Sequence, residues 1–279
     1  MRSGSKLLRT VAALERLGCA VAVRYAGERG AGLEELARST APDFDAVIAA
    51  GGDGTVDAVV NGLFAGASGT MPVLGVLPLG TVNLLARELG VPRDPGALAA
   101  AIVSAPVRSV WPGRIGDRLF MVVVGCGFDA ETVAAVDPAL KLRLGRTAFL
   151  PALLKTLRQE CRRALALCID GVEESANSVI IAKGRYYAGP FVLAPAATIA
   201  EPYLHAVLLR SGGRRAMVRC LAAGVCGALN RLRDVEIRRC KTVSIAGNDA
   251  APVQADGEIV AALPVTVGVA DRPLHLIWP

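Results

Sequence analysis

The residues best suited to chemistry lie in three short segments. The first is Gly51-Gly52-Asp53-Gly54-Thr55, which follows the apolar run 45–50 and precedes Val56, Val59, Val60 and Leu63 at helical spacing. A strand that stops in glycines and restarts as a helix offers main-chain N–H groups at the helix N-terminus, where the dipole also favours an anion. Gly51, Gly52 and Gly54 remove the Cβ atoms that would hold a phosphate off the backbone. Asp53 suits that position when a cation lies between it and the phosphate, and Mg²⁺ is the ordinary choice. Thr55 can cap the helix or bond a phosphate oxygen. The competing explanation is a glycine turn with Asp53 as the helix cap.

The second segment, Leu77-Pro78-Leu79-Gly80-Thr81-Val82-Asn83, is another strand–loop–helix junction, with Thr81 and Asn83 as neutral hydrogen-bonding groups. Two such loops at neighbouring C-terminal strand ends form the crevice in which open α/β sheets bind ligands. One alone is explained equally well by a capped helix. The third segment, Val253-Gln254-Ala255-Asp256-Gly257-Glu258, sets two carboxylates about a glycine. By itself it reads as a turn. It gains chemical meaning only if the fold brings it to the Asp53 loop.

The elements that must position these loops alternate in the first part of the chain. Residues 5–17 place Leu7, Val11, Leu14 and Leu17 near one helical face, with Gly18 as the stop. Strands are predicted at 20–25, 45–50 and 72–77, and helices at 33–39, after Thr55, and at 82–89 before Gly90 and Pro92. This alternation predicts a parallel sheet covered on both faces. Beyond residue 107 the pattern changes to short strand-like runs at 121–124, 165–169, 178–183, 206–209, 243–245 and 265–269, with helices near 147–160 and 214–232. The predicted fold class is α/β: an N-terminal α/β nucleotide-binding domain over 1–107 and a mostly antiparallel, β-rich substrate domain over 108–279.

Composition excludes several classes. With 53% hydrophobic and 20% charged residues, the 279-residue chain is not disordered, and with 4% aromatics its core must be aliphatic. Mean hydropathy is high at +0.45, yet no uncharged apolar run reaches the ~18 residues of a membrane span. The net charge of +6 is concentrated: residues 210–241 carry nine basic and two acidic residues, a net +7 that leaves −1 for the remainder. Such an excess suits phosphate, nucleic acid or an acidic membrane surface, or is simply a solvated basic face. Seven cysteines without a CxxC pair, and only His205 and His275, argue against zinc and for a reducing compartment. The opening MRSGSKLLRT has no apolar secretion signal. No GxxxxGK[ST], strand-linked GxGxxG or GxSxG is found, which excludes the common nucleotide and hydrolase loops.

GGDGTVDAVVNGL (51–63), LPLGTVNLLAR (77–87) and VQADGE (253–258), in this order, resemble the catalytic domain of the diacylglycerol and sphingosine kinases. The chain is most similar to the bacterial diacylglycerol-kinase-like lipid kinases; GCGFDAETV (125–133) and YYAGPFVLAP (186–195) fit the same group, so the resemblance covers nearly the whole chain. GGDGT is shared with NAD kinases, but the GTxN and DGE segments favour lipid kinases. The resemblance implies an α/β nucleotide domain followed by a β-sandwich-rich domain, with the active site in the cleft between them. It implies ATP and Mg²⁺, with a diacylglycerol-like or sphingoid-like hydroxyl as acceptor.

Carried over by position, Gly51, Gly52, Asp53, Gly54, Thr55, Val56 and Asp57, with Gly80, Thr81 and Asn83, would hold ATP, and Asp53 would organise Mg²⁺. Glu258 would take the acceptor proton, with Asp256 beside it. Relatives also bind a structural Mg²⁺ in a loop that here reads Thr198-Ile199-Ala200-Glu201-Pro202-Tyr203, with Glu201 where an Asp is usual. The chain further departs from the family at Leu84 and Trp111, where polar and acidic residues are common. It opens on Met1-Arg2-Ser3-Gly4 where relatives have a strand and an NPxSG-like loop. The expected partners are a lipid substrate and an anionic membrane surface met peripherally, on the inner face of the cytoplasmic membrane. No nucleic acid is expected, and a homodimer is admitted. A kinase for a soluble metabolite such as NAD, or a catalytically weakened nucleotide- or lipid-binding protein, are the alternatives.

Overall fold

The computed structural model describes residues 2–27, 30–40, 43–66, 71–137, 140, 145–158, 164–247 and 250–279. In chain order the first elements are α1 (Arg2–Arg16), α2 (Leu33–Thr40), β1 (Ala46–Gly51), α3 (Asp53–Gly66), β2 (Val73–Pro78), α4 (Leu84–Glu88), α5 (Pro95–Ser104) and β3 (Val107–Val110). Next come β4 (Gly113–Ile115), β5 (Arg118–Phe120), β6 (Val123–Cys126), α6 (Phe128–Ala134), α7 (Phe149–Arg158), β7 (Leu165–Ile169), β8 (Val172–Ala176) and β9 (Ser178–Ala182). They are followed by β10 (Tyr186–Tyr187), β11 (Phe191–Val192), β12 (Leu204–Leu209), α8 (Arg214–Val225), β13 (Val235–Cys240), β14 (Val243–Ala246), β15 (Pro252–Ala255), β16 (Glu258–Ala262), β17 (Val265–Val269) and β18 (Leu274–Ile277). They form two compact units, Met1–Trp111 with Arg272–Pro279, and Pro112–Asp271.

The first unit is built on a four-stranded sheet in the order β1-β2-β18-β3. β1 and β2 are parallel and in register from Ala46 opposite Val73 to Gly51 opposite Pro78. Both strands therefore stop at the same level, and the two glycine loops leave the sheet at one edge. β18 continues the parallel set beside β2, and β3 runs antiparallel to β18. The sheet is thus mixed, not all-parallel as predicted, because β3 runs against β18, the short run Leu274–Ile277 that returns from beyond the second unit. α3 buries Val56, Val59, Val60 and Leu63, the predicted helical stripe. α5 begins with an Asp94 cap, whose side chain accepts from the Ala97 amide at 2.9 Å, and Pro95 follows at the first helical turn. α1 and α5 pack through Ala13, Leu14 and Ala99.

The strand predicted at 20–25 does not form. Among the described residues nothing pairs with it, and Val23 and Tyr25 are exposed; only Cys19 and Val21 gain cover beneath α1 and α5. An apolar run without a ladder partner stays irregular.

The second unit contains two six-stranded sheets, β13-β12-β9-β6-β15-β16 and β5-β4-β17-β14-β7-β8, and every neighbouring pair is antiparallel. Side chains alternate across each strand. Val124, Val179, Ile181, Ala206 and Leu208 of the first sheet meet Leu167, Val243, Ile245 and Val267 of the second in one core. The alternate residues Val123, Ile180, Val207 and Leu209 face the other way, onto Phe128 of α6 and Ala216, Met217 and Cys220 of α8. The first sheet is therefore buried on both faces, which is why β9 and β12 read as continuous apolar runs. The helix expected near 147–160 is α7, and its predicted end at 159–160 lies outside the described residues. The helix expected at 214–232 ends at Val225 and is followed by a short 3₁₀ turn at Leu229–Arg231. The strand expected at 121–124 starts two residues late, for a reason found in the site.

Candidate functional site

In the first unit, the loops after β1 and β2 are bonded to each other. The Gly51 carbonyl accepts from the amides of Leu79 at 2.9 Å and Gly80 at 3.2 Å. Asn83, held in the left-handed region at φ 52°, ψ 59°, clasps Gly80: its Oδ1 accepts from the Gly80 amide at 3.0 Å and its Nδ2 donates to the Gly80 carbonyl at 2.7 Å. Asp53 crosses between the loops, its Oδ1 accepting from the Leu84 amide at 2.6 Å. A Cβ on Gly80 would sit 2.4 Å from Gly52 Cα and 2.8 Å from Asn83 Oδ1, so the glycine is required by this close approach. At Gly51 a Cβ would fall 2.1 Å from Thr55 Oγ1, which places that hydroxyl over the loop. Lys6 of α1 donates to the Pro78 carbonyl at 3.2 Å. Burial, and secondarily Arg93, lower its pKa.

These contacts separate the predicted residues by role. Gly51, Gly52, Asp53, Gly54, Thr55, Asp57, Gly80, Thr81 and Asn83 gather at one edge of the sheet, all half-buried or exposed. Val56 points into the core, so only its main chain can face a ligand. Leu84 is buried as well and contributes to the site through its amide. The donor set of glycine amides, the Thr55 and Thr81 hydroxyls and the Asp53 and Asp57 carboxylates fits a polyphosphate carrying Mg²⁺, a hard cation that takes oxygen ligands and keeps its phosphate partners.

In the second unit, Asp256 and Gly257 join β15 to β16 with φ of 45° and 91°, the two positive values of a tight type I′ hairpin turn. Asp256 does not stand open to a substrate. Its side chain is only 8% exposed and accepts from the amides of Met121 at 2.7 Å, Val122 at 3.1 and 3.2 Å, and Val123 at 2.7 Å. These bonds take the amides of the first three residues of the strand predicted at 121–124, and β6 begins only at the last of them, Val123. Glu258 follows the turn and is exposed.

The turn is also held from behind. The Gly257 amide donates to Gln254 Oε1 at 2.8 Å, and Gln254 Nε2 donates to Asp129 Oδ2 at 2.6 Å. The Tyr187 hydroxyl donates to Asp129 Oδ1. Burial raises the pKa of Asp129, opposed by the hydrogen bonds from Tyr187 and Gln254; burial and the Asp129 charge push Tyr187 well above its ordinary value. Roles for Asp129, Tyr187 and Gln254 were not evident from sequence, although each falls in a segment with family character. Lys183 was missed too, and its signal was a lysine closing the apolar run SVIIA.

Glu201, expected as a metal ligand, pairs its carboxylate with Arg239 at 3.1 Å. Among the described residues, no three His, Cys, Asp or Glu side chains are grouped as a metal centre. The basic stretch is also less bare than its sequence implies. Arg210 and Arg238 each bind both Glu174 and Glu236, Arg219 binds Asp234, and Arg239 binds Glu201. Glu174 and Glu201 come from outside the stretch, so its net +7 overstates the charge presented there.

Residues 2–115 match the family model described as the diacylglycerol kinase catalytic domain, and residues 122–278 match the YegS C-terminal NAD kinase beta sandwich-like domain. A protein of Chromohalobacter salexigens named "Probable lipid kinase YegS-like" is 33% identical over 203 residues, 72% of this chain and 65% of that relative, just under two thirds of its length. A diacylglycerol kinase of Mycobacterium tuberculosis is 29% identical over 280 residues, 96% of this chain and 88% of the relative. The crystal structure of a diacylglycerol kinase from Bacillus anthracis superposes with a TM-score of 0.79 over 99% of this chain and 92% of that one, at 23% identity, which establishes a common fold.

Proposed function

We propose that this chain, which belongs to the family of the YegS C-terminal NAD kinase beta sandwich-like domain, matches the diacylglycerol kinase catalytic domain over residues 2–115 and is a kinase, transfers the γ-phosphoryl group of Mg²⁺-bound ATP to a lipid hydroxyl. The observation that carries this reading is the pair of interlocked glycine loops at one sheet edge, with Asp53 tying the start of α3 to that of α4. Phosphoryl transfer depends on positioning and charge neutralisation more than on covalent help. Main-chain amides of the Gly51–Gly54 and Gly80 loops, with Thr55 and Thr81, bind the phosphate oxygens. Asp53 and Asp57 would hold Mg²⁺, which would supply charge neutralisation to the phosphates. Glu258, on a turn fixed by Asp256 and Gln254, accepts the proton of the lipid hydroxyl as its oxygen bonds to phosphorus. The bond from phosphorus to the bridging oxygen breaks, and ADP leaves.

The acceptor is an amphiphile, and an anionic bilayer is the surface on which it is met. No helix among the described residues is long and apolar enough to cross a membrane. The outward face of α7 carries Leu150 and Leu154, 59% and 50% exposed, with Lys155 and Arg158 beside them. α8 lies next to it, Arg214 Nε donating to the Leu157 carbonyl at 3.2 Å, and shows Arg215 and exposed Val218 and Val225. Apolar side chains ringed by cations suit acidic headgroups, each cation adding about 1 kcal/mol near the surface at low salt. This face replaces the ion-paired part of 210–241 as the proposed contact.

The test is transfer of label from [γ-³²P]ATP to diacylglycerol, sphingoid base and other lipid alcohols in mixed micelles. Labelled lipid that disappears in Glu258→Gln is expected. No labelled lipid, with NAD phosphorylated instead, refutes the proposal in favour of a soluble acceptor.

A further inference from the structure

The resemblance assigns a structural Mg²⁺ to the loop 198–203, and the residues present there do not fit one. Lys183, the residue after β9, is fully buried at 0% exposure. Its main-chain amide donates to the Val122 carbonyl at 2.7 Å. Its Nζ donates to the carbonyls of Thr198, at 3.2 Å, and Glu201. The only carboxylate of the loop, that of Glu201, is paired with Arg239, whose guanidinium stacks 3.7 Å from the centre of the Tyr203 ring. A divalent ion bound through these carbonyls would face an ammonium already bonded to two of its oxygens, and like charges at that distance repel strongly. Mg²⁺ also demands a near-octahedral oxygen shell at about 2.1 Å, which an occupied pair of carbonyls denies it.

We propose that Lys183 is a built-in cation: its ammonium closes the loop 198–203, and this chain binds no divalent ion there. Burial lowers the Lys183 pKa to about 8, with Glu201 opposing the shift, so the ammonium form prevails at neutral pH. Arg239 over Tyr203 then clamps the loop from outside while Lys183 holds it from within. The inference concerns the second unit alone, and it stands or falls separately from the lipid acceptor.

The experiment is thermal unfolding of the full chain without nucleotide, in EDTA and in Mg²⁺. Asp53→Asn is run in parallel, so that any ion effect at the Asp53 loop is recognised by its loss in that variant. The expected wild-type difference is under about 2 °C, since an ion that does not bind the native state does not stabilise it. A larger loss in EDTA that is restored by Mg²⁺ and persists in Asp53→Asn overturns the proposal. Lys183→Met keeps the aliphatic bulk and removes the charge. It should melt at least about 4 °C below wild type because two half-covered carbonyls lose the buried donor that ties them to the end of β9. A Lys183→Met protein that melts with wild type also overturns the proposal. If that variant does not fold, the wild-type comparison decides.

Discussion

Replacing Asp256 by alanine separates a carboxylate that builds the site from one that reacts in it. Alanine leaves the amides of Met121, Val122 and Val123 without their acceptor in a buried place. Each unmatched buried donor costs about 1–3 kcal/mol. Alanine at the left-handed φ of 45° adds about 1 kcal/mol more. The sum is about 4–10 kcal/mol, a large part or all of the stability of an ordinary domain. At about 2–4 °C per kcal/mol, the melting temperature falls by about 10 °C or more. Glu258→Gln, at an exposed position two residues on, leaves melting unchanged and lowers phosphoryl transfer by about 10²–10⁴-fold, the usual contribution of a general base. Urea unfolding followed by circular dichroism measures the first effect and lipid phosphorylation the second. An Asp256→Ala protein that melts with wild type yet transfers no phosphate refutes the anchoring argument and makes Asp256 a reacting group.

Gly80→Ala pushes the two loops apart, since its Cβ would lie 2.4 Å from Gly52 Cα; ATP affinity measured by calorimetry should drop by about tenfold or more, a loss near 1.4 kcal/mol. Leu150→Gln with Leu154→Gln should weaken sedimentation with phosphatidylglycerol vesicles while leaving ATP binding intact, and unchanged sedimentation would remove α7 from the membrane contact. Hydrogen bonds from Arg210 and Arg238 hold the Glu174 carboxyl below its ordinary 4.5. A carboxylate depressed in the folded state contributes stability above its unfolded pKa that is lost as pH falls through the folded value. Glu174→Gln should therefore flatten the decline of stability below pH 4.5, read from urea midpoints across the acid range. Asp129 has the opposite sign: its raised pKa gives stability that is full below 3.8 and lost as pH rises through the folded value, so wild type should lose stability relative to Asp129→Asn over that climb.

The loops of the first unit were legible because glycines after an apolar strand carry local information, and register between β1 and β2 did the rest. The turn at Asp256 was legible as a turn, but its function was not: the amides that bind it lie 133–135 positions away. Distance in sequence likewise hid Glu174 and Glu201 from the count of charge over 210–241. Hydrophobicity alone cannot distinguish a strand with a partner from one without, which is why 20–25 was read as a strand. β18 was not read, because its run of four residues at the end of the chain lies far from the strands it joins, although it supplies an inner strand.

That inner strand has a consequence for biosynthesis. β2 acquires its second neighbour only from residues beyond the whole β-sandwich. On the ribosome, the N-terminal sheet therefore waits, with one flank of β2 unpaired, until residue 277 has emerged, while the sandwich can already be complete. A stop codon after Asp271 would spare every strand of the sandwich and leave the first unit permanently open-sided, a target for chaperones and proteases.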